Sequence, residues 1–332
     1  MTRFKPLATA AALAFATALA APAAHAQEVV RLGNLKLAHF GAISYMQEIA
    51  PKCGLKIDVR IFAKGLDVMQ AIIAGELDAG ASASEATISA RANGVPIYVV
   101  AGFANGGARL VASPASGVKK ISDLKGKRVG VTRGSIQEIL LAAELAKNGL
   151  TFSDQPGKDV QITYLGYPDL NQALLTNNLD VIMQTEPQSS QAVNKGFGIE
   201  VMKPYDTAIG SPVRTLVMTE KFYKDKPQVA AKFMQCFVMA TKSFIDDPKL
   251  ASRYVRETLF KGQITEADFD AAIGNSPYGY DITPEHLQIT GDLMAKYGIG
   301  KFTQAPKASE YVKTDLLQAA KQALHIPATA AK

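Results

Sequence analysis

Histidine is scarce in this chain, with four in 332 residues: His25, His39, His286 and His325. No H-E-x-x-H, C-x-x-C or G-x-S-x-G occurs, which removes the common zinc-hydrolase, dithiol and nucleophile-elbow signatures. Phosphate-cradling loops are missing too. The one glycine-rich stretch, Gly102-Phe103-Ala104-Asn105-Gly106-Gly107, lacks both the P-loop lysine and the dinucleotide-fold spacing. Basic runs are absent: the formal charge of +6 is interspersed, and Arg3 and Lys5 carry two of it, so nucleic acid is not an expected partner. What remains is the expectation of a non-enzyme with no catalytic residues, no metal and no cofactor.

Cysteine is equally sparse. Cys53 and Cys236 both fall on helical-looking segments, where they either pair as a disulfide in an oxidising compartment or sit as two small buried residues. The apolar run over 7–21 is alanine-rich and shorter than the roughly 20 residues a bilayer span requires. With Arg3 and Lys5 ahead of it and Ala24-His25-Ala26 behind, it reads as an export signal over 1–26, cleaved near Gln27, rather than as a membrane anchor. No cysteine follows the run, so lipid attachment is not expected, and the mature chain is expected to be a soluble periplasmic monomer. About 306 residues would then remain, more than one hydrophobic core usually serves, which predicts two domains.

From Glu28 onward the pattern alternates short strands with helices, the mark of α/β layers around mostly parallel sheets. Strands are predicted over 29–37, 55–62, 78–81, 97–103, 128–131, 160–165 and 180–183. In the second of these Leu55, Ile57, Val59 and Ile61 alternate with Lys56, Asp58 and Arg60, as in a half-solvated edge strand. Beyond Pro227 the chain turns helical, with helices predicted over 228–246, 249–259, 266–273 and 284–297.

An internal echo sits about one hundred residues apart. Gln70-Ala71-Ile72-Ile73-Ala74-Gly75-Glu76-Leu77-Asp78 and Gln172-Ala173-Leu174-Leu175-Thr176-Asn177-Asn178-Leu179-Asp180 share Q-A-[IL]-[IL]-x-[GN]-x-L-D. In each copy the apolar pair faces a sheet, Gly75 or Asn177 supplies a left-handed helix stop, the leucine plugs the turn and the aspartate opens a buried strand. The spacing is too long for a solenoid repeat and suits two lobes on one plan. Pro114 and Pro212 punctuate the pattern and place the crossings near 112–116 and 211–215. That assigns 27–112 and 215–332 to one lobe and 113–214 to the other, with a ligand cleft between them.

Strand-to-helix junctions with small or hydroxyl residues present unpaired N–H groups and the positive end of a helix dipole, an anion site without a charged side chain. The candidates are His39-Phe40-Gly41-Ala42, Lys64-Gly65-Leu66-Asp67, Ser82-Ala83-Ser84 and Arg133-Gly134-Ser135-Ile136. Ser82, Ser84 and Ser135 are expected to converge across the cleft, although an N-cap serving only its own helix is the competing reading for each. Asp67 reads as a helix-start charge. His39 either donates to an anion or packs near the lobe surface, and Phe40 and Phe103 wall the pocket or join the core. Glu186, after the second echo, is expected to face the cleft and to favour a ligand with an amine or hydroxyl. Arg109 and Arg214, close to the crossings, either meet an anionic group or form a hinge salt bridge.

With these residues in place, the chain resembles the nitrate, sulfonate and taurine class of periplasmic binding proteins, a branch of the type II solute-binding superfamily. The resemblance rests on Lys64-Gly65, on Gly75-Glu76-Leu77-Asp78-Ala79-Gly80, on the D-L-K-G-K-x-V-G-V pattern within Ser122 to Val131, on Gly134-Ser135 and on Gln172-Ala173-Leu174. It covers most of the mature chain to about residue 245, and the helical tail more weakly. It implies an α/β fold of two Rossmann-like lobes joined by two crossings, closing on a small anionic ligand (sulfonate, taurine, nitrate or a related organic anion). An inner-membrane ABC permease and its ATPase would then import that ligand. By the same resemblance the loops at Phe40, Gly65, Ser82 to Ser84, Asn105, Gly134 to Ser135 and Glu186 form the pocket. The segment Ala38-His39-Phe40-Gly41-Ala42 departs from the form usual in sulfonate binders, which leaves the anion open. A thiamine or pyrimidine precursor and an aromatic carboxylate are the alternatives within the fold, and a secreted enzyme using His39 with Glu186 is the alternative outside it. The cysteine-rich iron motif of the superfamily's fungal pyrimidine-making enzyme has no counterpart.

Overall fold

The structure, a computed structural model, describes residues 1, 2 and 27–327; the expected export segment lies outside the described residues. Eleven strands occur among these: β1 (Glu28–Leu35), β2 (Leu55–Phe62), β3 (Ala79–Ala83), β4 (Ile97–Asn105), β5 (Ala108–Ala112), β6 (Arg128–Val131), β7 (Phe152–Ser153), β8 (Val160–Tyr164), β9 (Val181–Thr185), β10 (Ile199–Met202) and β11 (Val213–Thr219). They form two sheets, ordered β2-β1-β3-β11-β4 and β10-β5-β9-β6-β8-β7. In the first, β1 runs parallel to β2 and β3, while β11 runs antiparallel to β3 and β4. The edge strand β2 buries Leu55 and Ile57 and exposes Lys56, Asp58 and Arg60, as its alternation predicts. The central β3 is buried along Ala79 to Ser82, because helices cover one face and the core the other.

The sequence echo is a structural repeat. Gly75 (φ 72°) and Asn177 (φ 54°) both adopt the left-handed conformation and stop the helices Gly65–Ile73 and Tyr167–Leu175. Leu77 and Leu179 are 1% and 2% exposed. Asp78 then accepts the Arg31 backbone N–H (2.9 Å) and pairs with the Arg31 guanidinium (2.7 Å), whose Nη1 donates to the Gly75 carbonyl (2.7 Å). Asp180 does the same with Arg128 (2.8 and 2.9 Å), and Nη2 of Arg128 reaches the Asn177 carbonyl (2.8 Å). Each arginine thus clasps a helix stop to the neighbouring strand. Half-exposed pairs of this kind are worth about 1 kcal/mol or less, so they set register more than stability. The R-[LV]-G segment within β1 and at the start of β6 belongs to the same unit: a Cβ on Gly33 would lie 2.6 Å from Leu77 Cδ1, and one on Gly130 2.3 Å from Leu179 Cδ1.

The chain crosses between sheets twice. It leaves the first at Asn105 and enters the second at Ala108, so β5, assigned by its sequence to the first lobe, pairs instead with β9 and β10. The crossing therefore lies at Gly106 and Gly107 (φ 76° and 77°), not near 112–116, where Pro114 merely opens a 3-10 turn inside the second lobe. Glycine is needed there because a Cβ on Gly106 would come within 2.2 Å of the Asn275 carbonyl oxygen. The return falls between Met202 and Val213, and Thr215 already lies inside β11. The strands β5, β7, β10 and β11 have no counterpart in the predicted set; β11 is buried on both faces and shows no alternation.

After β11 the helical tail packs back on the first lobe. The helix Pro227–Asp246 lies against Gly41–Ile49 and Asp315–Ala323 through Phe233, Phe237 and Phe244. The predicted helix over 249–259 is Pro248–Arg253 continued by a π-helical turn, Tyr254–Leu259. Helices Glu266–Asn275 and Pro284–Lys296 follow where expected, while Ala308–Tyr311 and Asp315–Ala323 were not expected. Glu266–Asn275 touches the second lobe, with Asn194 donating to Asp268 (2.8 Å).

Cys53 and Cys236 form a disulfide that ties the turn before β2 to the long helix. At a sequence separation of 183, chain-entropy arguments assign the bond about 5 kcal/mol. Under denaturing, non-reducing conditions thiol titration should find no free cysteine, and two after reduction. Reduction should lower the melting temperature; two titratable thiols in the unreduced protein would contradict the pairing.

Candidate functional site

Because β11 runs against β3, its first residues lie beside the carboxyl end of β3, with Arg214 opposite Ala83. Strand direction thus delivers a guanidinium to the end of the sheet that faces the second lobe. Arg214 is 1% exposed. Its Nε donates to His39 Nε2 (3.1 Å), but Nη1 and Nη2 have no hydrogen-bond partner among the described residues. A Cβ on Gly107, the second crossing glycine, would sit 3.1 Å from Nη2, so the crossing leaves the space the guanidinium fills. Burial pulls the Arg214 pKa down, opposed by Glu85, Tyr205 and Tyr167. Burial, then the Arg214 charge, holds His39 well below the ordinary histidine range and hence neutral. Its Nε2 accepts from Arg214, which assigns the proton to Nδ1, itself without a partner. A cation stripped of water and left unpaired costs several kcal/mol, a cost that an arriving anion offsets.

Glu85, in the first turn of the helix Ser84–Ala92, is the nearest acidic complement. It is 5% exposed and its Oε2 has no partner. Burial pushes its carboxyl up to about 7, against the pull of Arg214 and of the backbone N–H groups of Glu85, Ala86 and, from the opposite lobe, Ile136. Two small cavities of about 20 and 10 Å³ flank it, each with room for about one water. Both are lined by Gly65, Glu85 and Tyr167. Phe40, Ala83, Gln137, Thr185 and Arg214 complete the first; Leu66, Thr132, Arg133, Gly134 and Ser135 complete the second. They adjoin a cleft of about 700 Å³ that shares Leu35, Leu37, Lys64, Thr132 and Tyr167 with them and is also lined by Lys36, Lys195, Phe62, Phe197 and Phe260.

The structure thus gathers Phe40, Gly65, Leu66, Ala83, Arg133, Gly134, Ser135 and Arg214 around one interlobe space, with His39 behind Arg214. Phe40 also stacks edge-on against Phe103, which stays in the core. Ser135 is the N-cap of the helix Ile136–Lys147, accepting from Glu138 N and donating to the Thr132 carbonyl (2.6 Å), so its hydroxyl serves its own helix. Ser82 is likewise engaged, with Ala83 O and Thr87. Ser84 is buried and its Oγ is unpartnered. Gly41 faces the helical tail, where a Cβ would meet Val255 Cγ2 at 2.4 Å, and Asn105 is exposed at the end of β4.

Glu186 does not face the cleft. Its Oε1 binds Arg109 Nε (2.7 Å) and Asn275 Nδ2 (2.9 Å), and its Oε2 takes the Ser190 hydroxyl (2.6 Å). Arg109 also reaches Glu200 (2.8 Å) and the Ala271 carbonyl (2.9 Å). The two arginines near the crossings therefore divide the two roles open to them: Arg109 is the hinge salt bridge and Arg214 is the unpaired cation. His39 and Glu186 have separate partner sets, so the acid–base pair of the enzyme reading is not assembled.

Glu85, Tyr167 and Gln137 are the site residues that sequence reading missed. Tyr167 donates to Gln137 Oε1 (3.0 Å) and burial raises its pKa, keeping the phenol protonated. An acidic residue in a first helical turn is ordinarily a helix-start charge, so nothing set Glu85 apart; what marks it is burial, visible only in three dimensions.

Residues 52–251 match the family model described as NMT1/THI5 like. A protein of Escherichia coli K12, named provisionally as an aliphatic sulfonates-binding protein, is 31% identical over 144 residues, 43% of each chain. The chain thus aligns with less than half the length of the curated relatives it matches. Among solved structures, the alkanesulfonate-binding protein SsuA of Xanthomonas axonopodis pv. citri, bound to MOPS, superposes with a TM-score of 0.72 at 18% identity, covering 87% of this chain and 100% of that one. The periplasmic nitrate-binding protein NrtA of Synechocystis PCC 6803 gives 0.71 at 16% identity, over 90% and 89%. These likenesses establish the fold as that of a type II periplasmic binding protein.

Glu85 makes stability depend on pH. Its folded pKa of about 7 lies above the ordinary glutamate value of 4.5, so the folded state holds the proton more tightly; this contribution is complete below about pH 4.5 and is lost as pH rises through 7. The full difference is on the order of 3 kcal/mol. Denaturant titrations of ligand-free protein between pH 5.5 and 8 should show stability falling, and Glu85→Gln should flatten that fall; an equal fall in both proteins would contradict the assignment.

Proposed function

This chain belongs to the NMT1/THI5-like family, and on that premise we propose that it is the periplasmic substrate-binding component of an ABC importer. It holds a small anionic solute between its lobes and hands it to a membrane permease driven by an ATPase. The observation that carries the reading is Arg214: a guanidinium 1% exposed, with two unpartnered nitrogens, at an interlobe cavity. The N-terminus of the helix Ile136–Lys147 supports it from the other side. Binding is reversible and no bond in the ligand changes. The names of the relatives, sulfonate and nitrate binders, point the same way. Export through a cleaved segment over 1–26 and action as a monomer complete the proposal.

The 700 Å³ cleft outside the small cavities suits an organic anion whose charged head reaches Arg214 while its body remains between the lobes. Its phenylalanines, Phe62, Phe197 and Phe260, favour a second reading in which that body is aromatic, as in an aromatic carboxylate or a pyrimidine precursor of thiamine.

Thermal-shift and isothermal titration against alkanesulfonates, taurine, nitrate, aromatic carboxylates and pyrimidines test the assignment. At least one should bind with a micromolar or tighter Kd, about 8 kcal/mol or more, and raise the melting temperature at millimolar concentration. Arg214→Gln should weaken that binding by about 100-fold with the circular dichroism spectrum unchanged, on the scale expected for loss of a buried charge-assisted contact. No shift with any compound would sink the anion-binding reading.

A further inference from the structure

Arg214 does not face the cavity alone. The same cavity is lined by Glu85, and the two side chains give the pocket one cation and one carboxyl. Glu85 stands where the lobes meet: it lines both small cavities, together with Ile136 and Gln137 on one side and Gly134 and Ser135 on the other. One of its oxygens has no hydrogen-bond partner, and neither do two nitrogens of Arg214. With Glu85 ionised, the pair is neutral overall and a bare anion meets a carboxylate as well as a guanidinium. With Glu85 protonated, the pocket is a net cation.

We propose that Glu85 is the specificity-determining residue of this site. It admits ligands that offer an anionic oxygen to Arg214 and an N–H donor to its own carboxylate, and it admits bare anions only together with a proton. The proposal rests on the anion-site reading above and deepens it, naming the ligand class as oxyanions that carry an adjacent amine. The proton taken up with a bare anion comes from solvent and resides on Glu85.

The titratable and charged groups around Glu85 leave this assignment standing. Arg214 faces it from β11, Tyr167 from the helix Tyr167–Leu175, and Lys64 and Arg133 from the second cavity. Arg133 is itself paired with Asp154 (2.6 Å). The helix Gly65–Ile73 contributes Asp67 in its first turn. Helix Pro284–Lys296 packs on Ser84–Ala92 and carries Glu285, His286, Asp292 and Lys296. Of all these, Arg214 is the one whose charge acts on the Glu85 carboxyl. The buried phenol of Tyr167 stays protonated, and His39 is neutral, so neither supplies the competing titration.

The test compares 2-aminoethanesulfonate with ethanesulfonate, which differ by an ammonium in place of one hydrogen on the terminal carbon. Both are titrated into the full mature protein and into Glu85→Gln at pH 6 and pH 8, in buffers of different ionisation enthalpy. Wild-type affinity for ethanesulfonate should fall about ten-fold between these pH values, with proton uptake approaching one at pH 8, while that for the aminosulfonate should rise about ten-fold as Glu85 ionises. In Glu85→Gln the ethanesulfonate dependence should vanish and the preference for the amine should be lost. Equal pH independence for both ligands in wild type, or an unchanged preference in the variant, overturns the proposal. If neither probe binds either protein and nitrate and the aromatic carboxylates also leave the melting temperature unshifted, the anion-site reading fails first. The ligand-free pH dependence of stability then still decides Glu85: the same fall in both proteins removes it as the titrating group, and with it this proposal.

Discussion

A buried guanidinium with no hydrogen-bonded ion pair among the described residues is the constraint on which the arrangement of this protein depends. Arg214 loses its water on folding and recovers one hydrogen bond, to a neutral histidine. A folded protein retains so costly a group where something else completes it. Around it the chain makes choices that stability alone does not require. A strand is reversed so that its start abuts the open end of the sheet, two successive glycines take the crossing past the guanidinium, and a histidine is buried to hold Nε.

The scaffold that presents this group is assembled from one module used twice. In each lobe an arginine on a strand clasps the aspartate that opens the neighbouring parallel strand and the carbonyl of a left-handed helix stop. The clasp fixes the register of adjacent parallel strands, and parallel strands in register place their following helices with N-termini on the same side. Two such lobes facing each other put helix starts on both walls of the gap. The second crossing arginine, Arg109, shows the contrasting fate. It is tied to Glu186, Glu200 and the Ala271 carbonyl, and so it braces the hinge and leaves the cleft to Arg214.

Much of this was legible in the sequence, for physical reasons. Helix stops are local: Gly75 and Asn177 announce themselves by residue type and by the leucine and aspartate that follow. The edge strand β2 shows its environment in its alternation. The clasping arginines escaped notice because they lie 47 and 52 residues from their aspartates, so the two copies do not align at one spacing. The first crossing is not marked by proline, the residue that punctuates the sequence pattern, because the turn demands a pair of glycines with positive φ. At the site, main-chain positions such as Gly65 and Gly134 were recognisable from strand-to-helix grammar. Which side chain faces the cleft was not: Arg109 and Arg214 look alike in sequence, and Glu186 and Glu85 exchange their expected roles only once long-range partners are known.

On this reading the two free nitrogens of Arg214 await an oxyanion held between the lobes, and a crystal structure of the protein with its tightest-binding solute decides it. The account predicts ligand oxygens within hydrogen-bonding distance of both Nη1 and Nη2 of Arg214, with residues of both lobes touching the same molecule. A solute seated elsewhere, or an Arg214 turned into an ion pair with Glu85 while the solute is bound, would contradict it.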